Sequence, residues 1–200
     1  MDANLAAFLK VLDPEDTTTG GGTASAIAGA MAGAIVAMVA RLPSGTDGTE
    51  PDLFYVEIAQ EAAGLSGQLL DGGHEDSQAF VDVRRAFRLL KQTGEQKAAR
   101  GAAIQAAWLN ATHVPLSNAE RCARVLELGA QLRGRSNLSA ASDLESALHL
   151  ARAGVLGCLE TIAANLPSIK DQSVVAELTA RASTLRASAR ALARAHDSSL

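Results

Sequence analysis

Apolar residues recur along this chain at spacings of three and four, and no stretch sustains the period-two alternation of a half-buried strand. The pattern predicts about eight helices. Residues 3–12 form a short amphipathic start that Pro14 ends. A second helix runs from about 22 to 41 and stops before Pro43, and the turn-forming residues 43–52 follow as a loop. A third covers about 52–71 and ends at Gly72-Gly73; a fourth opens at His74 and carries Phe80, Val83 and Phe87 at helical spacing. Thr93-Gly94-Glu95-Gln96 starts a fifth, with Lys97, Arg100, Ile104 and Trp108 along it. Val114-Pro115 opens a sixth, proline being tolerated in a first turn, and Leu116, Ala119, Ala123, Leu126 and Ala130 line its inward face. Gly134 to Asn137 breaks the chain before a seventh helix of about 139–165, and an eighth spans roughly 171–195. Short connections favour antiparallel neighbours, so the expected fold is all-α: an antiparallel up-and-down helical bundle forming a single domain over residues 1–200.

Hydrophobic residues make up 48% of the 200-residue chain but aromatics only 3%, so alanine, leucine and glycine must build the interior. Such a core draws helices close together instead of filling gaps with rings. A net charge of −4 argues against a nucleic-acid binder dominated by phosphate contacts. Cys122 and Cys158 fall in helical patterns without metal-ligand spacing and read as buried thiols of a reducing, cytoplasmic setting. The histidines, at 74, 113, 149 and 196, form no paired motif, and no metal site is expected. Met1-Asp2-Ala3-Asn4 lacks the basic start of a signal peptide. Ala24 to Ala40 is nearly uncharged, and Gly29-x-x-x-Gly33 would suit a membrane dimer. The run is nevertheless shorter than the roughly 20 residues of a span, and it is dominated by alanine. A soluble helix packed on all sides, with no membrane, explains the same residues.

Chemistry concentrates at Thr17-Thr18-Thr19-Gly20-Gly21-Gly22-Thr23, which opens the small-residue helix. Glycines let such a turn adopt strained dihedrals and let a ligand approach the backbone. The helix behind it offers unpaired N–H groups and a partial positive charge, a ready anion site. Neither G-x-x-x-x-G-K-[ST] nor a G-x-G-x-x-G after a strand is present, so this is no common nucleotide loop.

Six segments occur in an order that resembles the cyclodeaminase/cyclohydrolase family. They are Gly20-Gly21-Gly22-Thr23 with its helix, Glu75-Asp76-Ser77-Gln78-Ala79-Phe80, and Glu95-Gln96-Lys97-Ala98-Ala99-Arg100. Val114-Pro115-Leu116, Asn137 through Leu144, and Asn165-Leu166-Pro167-Ser168-Ile169-Lys170-Asp171 complete the set, covering roughly residues 5–190. The resemblance implies a helical bundle that forms a homodimer and binds a reduced folate. It implies either closure of a formimino group into 5,10-methenyltetrahydrofolate with loss of ammonia, or opening of the methenyl bridge by water. No cofactor beyond the tetrahydrofolate substrate is implied.

Both reactions need proton transfer, which a positioned carboxylate supplies, and a carboxylate also suits the cationic bridge or the donor edge of a pterin. Asp143 first and Asp76 second, each near an expected helix start in a matching segment, are the catalytic candidates; which is base and which anchor stays open. Gly20, Gly21, Gly22 and Thr23 are expected to form one wall of the site and the two acids the other, within one chain or across two subunits. Lys97, Arg100 and Lys170 are candidates for the anionic glutamate tail, and Asn137 and Asn165 for the ring or for helix caps. Thr19 and Thr23 stand where family members usually carry proline and serine. The stretch Ser44 to Asp52 is acidic where relatives commonly carry a basic segment, so the tail is bound elsewhere or the substrate has changed. Two alternatives remain at this point: the same scaffold binding another anionic or heterocyclic ligand, and a non-catalytic helical dimer.

Overall fold

The computed structural model of the chain describes residues 3–42 and 50–197 and resolves the helical pattern into six α-helices among them. These are α1 (Ala3–Val11), α2 (Gly21–Arg41), α3 (Asp52–Phe87), α4 (Gly94–Leu132), α5 (Ala141–Asn165) and α6 (Gln172–Asp197). Short 3-10 turns, Leu138–Ala140 and Leu166–Ser168, flank α5, and no strand occurs among the described residues. The acidic stretch expected after the second helix lies outside the described residues from 43 to 49.

Six helices replace the eight expected because the residues read as punctuation at two places serve packing instead. Gly72-Gly73 does not end a helix; both lie buried inside α3. A Cβ on Gly72 would collide with the Asn118 side chain, and Asn118 Nδ2 donates to the Gly72 carbonyl at 3.0 Å. Gly72 is therefore a close approach of α4 to α3, while Gly73 faces Thr23 and Ala26 of α2. Pro115 likewise sits inside α4 instead of opening a helix. Proline has no N–H to give the carbonyl four residues back, that of Ala111. Asn165 Nδ2 donates to that carbonyl at 2.8 Å, so the end of α5 supplies the missing bond. Thr93 and Gln96 form a reciprocal capping box, and α4 starts where the sequence predicts its fifth helix.

Cross-helix pairs give the directions. Gly33 of α2 faces Ala62 and Ser66 of α3, while Gly22, one end of the same helix, meets Asp76. Arg124 of α4 holds Glu61 of α3, and Arg100 reaches the Phe87 carbonyl at the far end. Arg133 pairs with Glu145 where Asn165 meets Ala111 at the other end of α4 and α5. Successive helices from α2 to α5 thus run antiparallel, as the short connections predict. α2 is the inner helix: a Cβ on Gly33 would lie 2.9 Å from the Ala62 carbonyl oxygen, and Ser66 Oγ donates to Ala30 O at 2.8 Å. Gly154 and Gly157 of α5 meet α2 from the other side at Ser25 and Gly29. Leu69, Leu116, Val125, Leu128, Leu159 and Ile162 fill the core between these close approaches.

Two segments, Gly21–Arg41 and Leu138–Ser168, are long and apolar enough to cross a membrane, and 67% of the window in the first is buried inside the bundle. Cys122 and Cys158 are buried free thiols in mutual hydrogen-bond contact; that bond and burial raise the Cys158 pKa. Phe80, Val83 and Phe87 lie on α3 as their helical spacing predicts; Val83 is buried, whereas Phe80 is 40% and Phe87 48% exposed.

Close backbone approach makes a clear prediction. Gly33→Ala presses a methyl against the α3 backbone, which cannot rotate away, and should destabilise the protein by about 1–3 kcal/mol in urea denaturation. Gly64, exposed in α3 with open space around its Cα, is the control: Gly64→Ala should stabilise by about 0.5–1 kcal/mol.

Candidate functional site

The loop leading into α2 is fixed from within. Asp16 Oδ1 accepts from the backbone N–H of Thr18 at 2.6 Å and of Thr19 at 3.1 Å, and from Thr18 Oγ1 at 2.7 Å. The Thr18 hydroxyl and these amides hold the Asp16 carboxyl below its ordinary range. Thr19 Oγ1 then lies 3.3 Å from Ser77 Oγ, tying the loop to α3. Gly20 is extended, at φ −137 and ψ −157, and the first helical bond runs from Ala24 N to Gly20 O at 3.1 Å. The N–H groups of Gly21 and Gly22 therefore have no carbonyl within the helix.

Asp76 comes from α3 to meet this first turn. Thr23 Oγ1 donates to Asp76 Oδ2 at 2.9 Å, and the Thr23 amide also bonds the carboxyl. Burial raises the Asp76 pKa above 3.8, outweighing the two Thr23 bonds that pull it down. The carboxylate occupies the space a side chain at position 22 would need: a Cβ there would lie 2.5 Å from Oδ1 and 2.6 Å from Oδ2. This replaces the expected reason for the glycine run. Among the described residues the one positive φ belongs to Gly134, so Gly20 to Gly22 are not strained, and Gly22 is there to admit a carboxylate.

A cavity of about 260 Å³ opens at this point, bounded by the loop from Thr17 to Gly22, by Asp76 and Phe80 of α3, Ala111 of α4, and Thr161 and Asn165 of α5. A larger one, about 610 Å³, lies at the other end of α2 beside Arg41, Asp52 and Tyr55. The smaller cavity is the candidate site, because there a half-buried carboxylate, a hydroxyl and open helix N–H groups converge.

The structure brings Gly20, Gly21, Gly22, Thr23, Asp76 and Asn165 together. Asn165 contributes its amide to the Ala111 carbonyl in the cavity wall. Asp143 is not part of this group within one chain. It is exposed in the first turn of α5, whereas the cavity meets that helix at Thr161, roughly 27 Å further along at 1.5 Å per residue. Asn137 lies at the same distant end, capping the short turn before α5 by accepting from Ser139 N at 2.9 Å. Lys97 is exposed at the start of α4, and Arg100 bonds the Phe87 carbonyl at 3.1 Å and stacks over its ring at 5.5 Å. Lys170 is exposed, its amide bonded to Gln105 Oε1 at 2.8 Å. None of these three cations lines the cavity. Among the described residues no three acidic, histidine or cysteine side chains group as a metal site. Phe80 and Thr161 were missed as site residues, though each stands four positions from a named candidate, Asp76 or Asn165, on the same helical face.

A carboxyl of raised pKa thus meets a helix N-terminus in a small cavity of an all-helical protein, an arrangement suited to proton transfer on a small molecule. The chain belongs to the formiminotransferase-cyclodeaminase family, whose model matches residues 4–184. It is 34% identical over 92% of its length to a methenyltetrahydrofolate cyclohydrolase of Methylorubrum extorquens, covering 89% of that protein. It is 28% identical over 172 residues to the formimidoyltransferase-cyclodeaminase of Rattus norvegicus, of which it spans 32%. The crystal structure of a formiminotetrahydrofolate cyclodeaminase from Thermotoga maritima shares the fold, with a TM-score of 0.79 at 22% identity over 92% of this chain and 89% of that one.

Replacing the three glycines one at a time tests the site. Gly22→Ala should push the Asp76 carboxyl from its place and lower kcat/KM more than about tenfold, since small misplacements of a reacting group carry large penalties. Gly20→Ala and Gly21→Ala, with open space at the Cβ position, should leave thermal stability and the place of Asp76 unchanged and confine any loss to KM, since both residues line the cavity.

Proposed function

We propose that this chain is a folate one-carbon enzyme acting on the N5/N10 bridge of tetrahydrofolate, with hydrolysis of the methenyl bridge as its reaction. The Asp76 carboxylate, half-buried beside Thr23 and Gly22, carries the reading. Similarity to a cyclohydrolase along nearly the full length of both chains supports the choice of reaction.

Water adds to the cationic bridge carbon, and Asp76 takes its proton as the new C–O bond forms. The resulting tetrahedral carbon is flanked by N5 and N10. Collapse breaks the C–N5 bond: the electron pair goes to N5, which takes the proton back from Asp76. The hydroxyl proton is lost to solvent as the formyl carbonyl forms on N10. Asp76 is suited to both halves, because a pKa nearer neutrality makes the carboxylate a better base and its conjugate acid a ready donor. Before the water adds, the carboxylate also balances the positive bridge. Phe80 supplies an apolar wall for the ring system.

The family model and the structural neighbour favour a second reading, cyclodeamination, in which the same carboxyl would serve N10 attack and ammonia departure. Neither reading calls for a cofactor beyond the folate, and cytoplasmic placement agrees with its buried free thiols. A homodimer agrees with Met31 and Met38, 49% and 42% exposed with Ala34 between them along one side of a mostly buried α2.

The methenyl chromophore decides between reactions. Loss of its absorbance above the spontaneous rate identifies hydrolysis; its growth from 5-formiminotetrahydrofolate with ammonia release identifies cyclodeamination; silence in both, with folded protein, overturns the reading. Asp76→Asn should lower kcat by about 10²–10⁴-fold, the usual contribution of a general base. Because the folded carboxyl keeps its proton to higher pH than the unfolded one, ionising it weakens the fold as pH rises through that window. The Asn variant should therefore lose activity without losing stability at pH 7, read by thermal denaturation. The wild-type rate should fall with acid at a pH above the ordinary carboxylate value of 3.8.

A further inference from the structure

Most arginines whose head groups cross between helices of this protein have an acidic partner. Arg124 holds Glu61 and Glu127, Arg133 holds Glu145, Arg181 holds Glu120 and Arg186 holds Glu160. Arg84, Arg85 and Arg88 depart from this. They lie within five residues at the end of α3, all exposed, and among the described residues none has an ion-pair partner. Positive side chains at a helix C-terminus do complement its dipole. That effect gives no reason for three of them to surround a cavity, and these three do. With Thr18 and Val81 they line a space of about 380 Å³.

This space adjoins the candidate site. Thr18 borders both cavities, and Val81 of one directly follows Phe80 of the other along α3. The two also have opposite electrostatic character, a carboxyl in the first and three guanidiniums in the second. Pockets for drug-sized ligands run from roughly 300 to 1,000 Å³, and the site at Asp76, about 260 Å³, falls below that range. It has room for the head of a ligand, with the remainder leaving past Thr18 toward the arginines. The ligand that fits carries a cationic or donor-bearing heterocycle at one end and carboxylates at the other.

We propose that Arg84, Arg85 and Arg88 bind the glutamate carboxylates of the reduced folate whose one-carbon bridge lies at Asp76. The proposal rests on the folate reading above and locates the tail that Lys97, Arg100 and Lys170 do not reach. Guanidiniums grip carboxylates through paired charge-assisted hydrogen bonds, and Thr18 stands at the passage between the two halves of the ligand.

The test compares the folate substrate with its pteroate counterpart, its benzoate blocked as the neutral carboxamide, which has the same bridge, no glutamate and no carboxylate. In the wild type KM should be lower for the folate than for the pteroate by about tenfold or more, the scale of a few charge-assisted bonds. The Arg84→Gln/Arg85→Gln/Arg88→Gln variant should raise KM for the folate to the pteroate value, the loss falling on KM and not on kcat. Its KM for the pteroate should not move, and the folate preference of the wild type should shrink with added salt. Equal KM values for the two compounds in the wild type, or a variant that raises both alike, overturn the proposal. Where neither compound is turned over, calorimetry with tetrahydrofolate and the tetrahydropteroate carboxamide makes the same comparison. Tighter binding of the folate by wild type than by variant, with the pteroate unaffected, sustains the arginine site although the reaction is wrong; equal affinities overturn it. Single substitutions, each at an exposed position, guard against a triple variant that fails to fold and should give partial losses in the same order.

Discussion

Helix α2 runs through the centre of this bundle with hardly any side chain between its backbone and those of its neighbours. Gly33 lies against the Ala62 carbonyl, Gly29 under Cys122, and Gly154 and Gly157 of α5 against Ser25 and Gly29. The near absence of aromatic residues follows from this, since rings would hold the helices apart. So does the site. An inner helix begins inside the protein, and its first-turn N–H groups open into a recess between α3, α4 and α5 instead of into solvent. A carboxyl brought to that recess loses water and is met by a helix end, and these two influences set its proton affinity.

Asp76 joins architecture to chemistry because it serves both. Its bonds to Thr23 fasten α3 to the head of α2, and the same oxygens face the cavity. Burial makes it a poor structural anion and a good proton acceptor. A protein selected for stability alone would have little reason to keep a carboxyl there, where an uncharged acceptor would hold Thr23 without the desolvation penalty.

Helical character, direction of packing and the importance of the glycine run were legible from the chain because each is local: spacing, turn chemistry and short connections act within about ten residues. Gly72-Gly73 and Pro115 were misread as helix ends because their partners are Asn118 and Asn165, distant in sequence, and local propensity is silent about a bond supplied from another helix. From the sequence Asp143 stands first and Asp76 second, both as acids near expected helix starts, and the structure reverses that order in favour of Asp76 for a site within one chain. What separates them is that Asp76 lies well inside a 36-residue helix that carries it to α2, while Asp143 does begin a helix and faces water at the opposite end. The arginines of α3 gave no signal as a group, since only the fold shows that among the described residues no acidic side chain pairs with them.

Pro115 and Asn165 form a single unit whose parts lie 50 residues apart in number but adjacent in space. A hydrogen-bond donor that α4 lacks has been relocated to α5, so neither position can be judged alone. With proline at 115, a residue at 165 without an amide leaves the Ala111 carbonyl orphaned in the cavity wall; with an ordinary residue at 115, the helix satisfies that carbonyl itself and position 165 is released. The substitution history of one position therefore sets which changes are neutral at the other. A side chain in the wall of the candidate site is held in place by a backbone defect in a neighbouring helix, and repair of the defect would free that side chain for a new ligand.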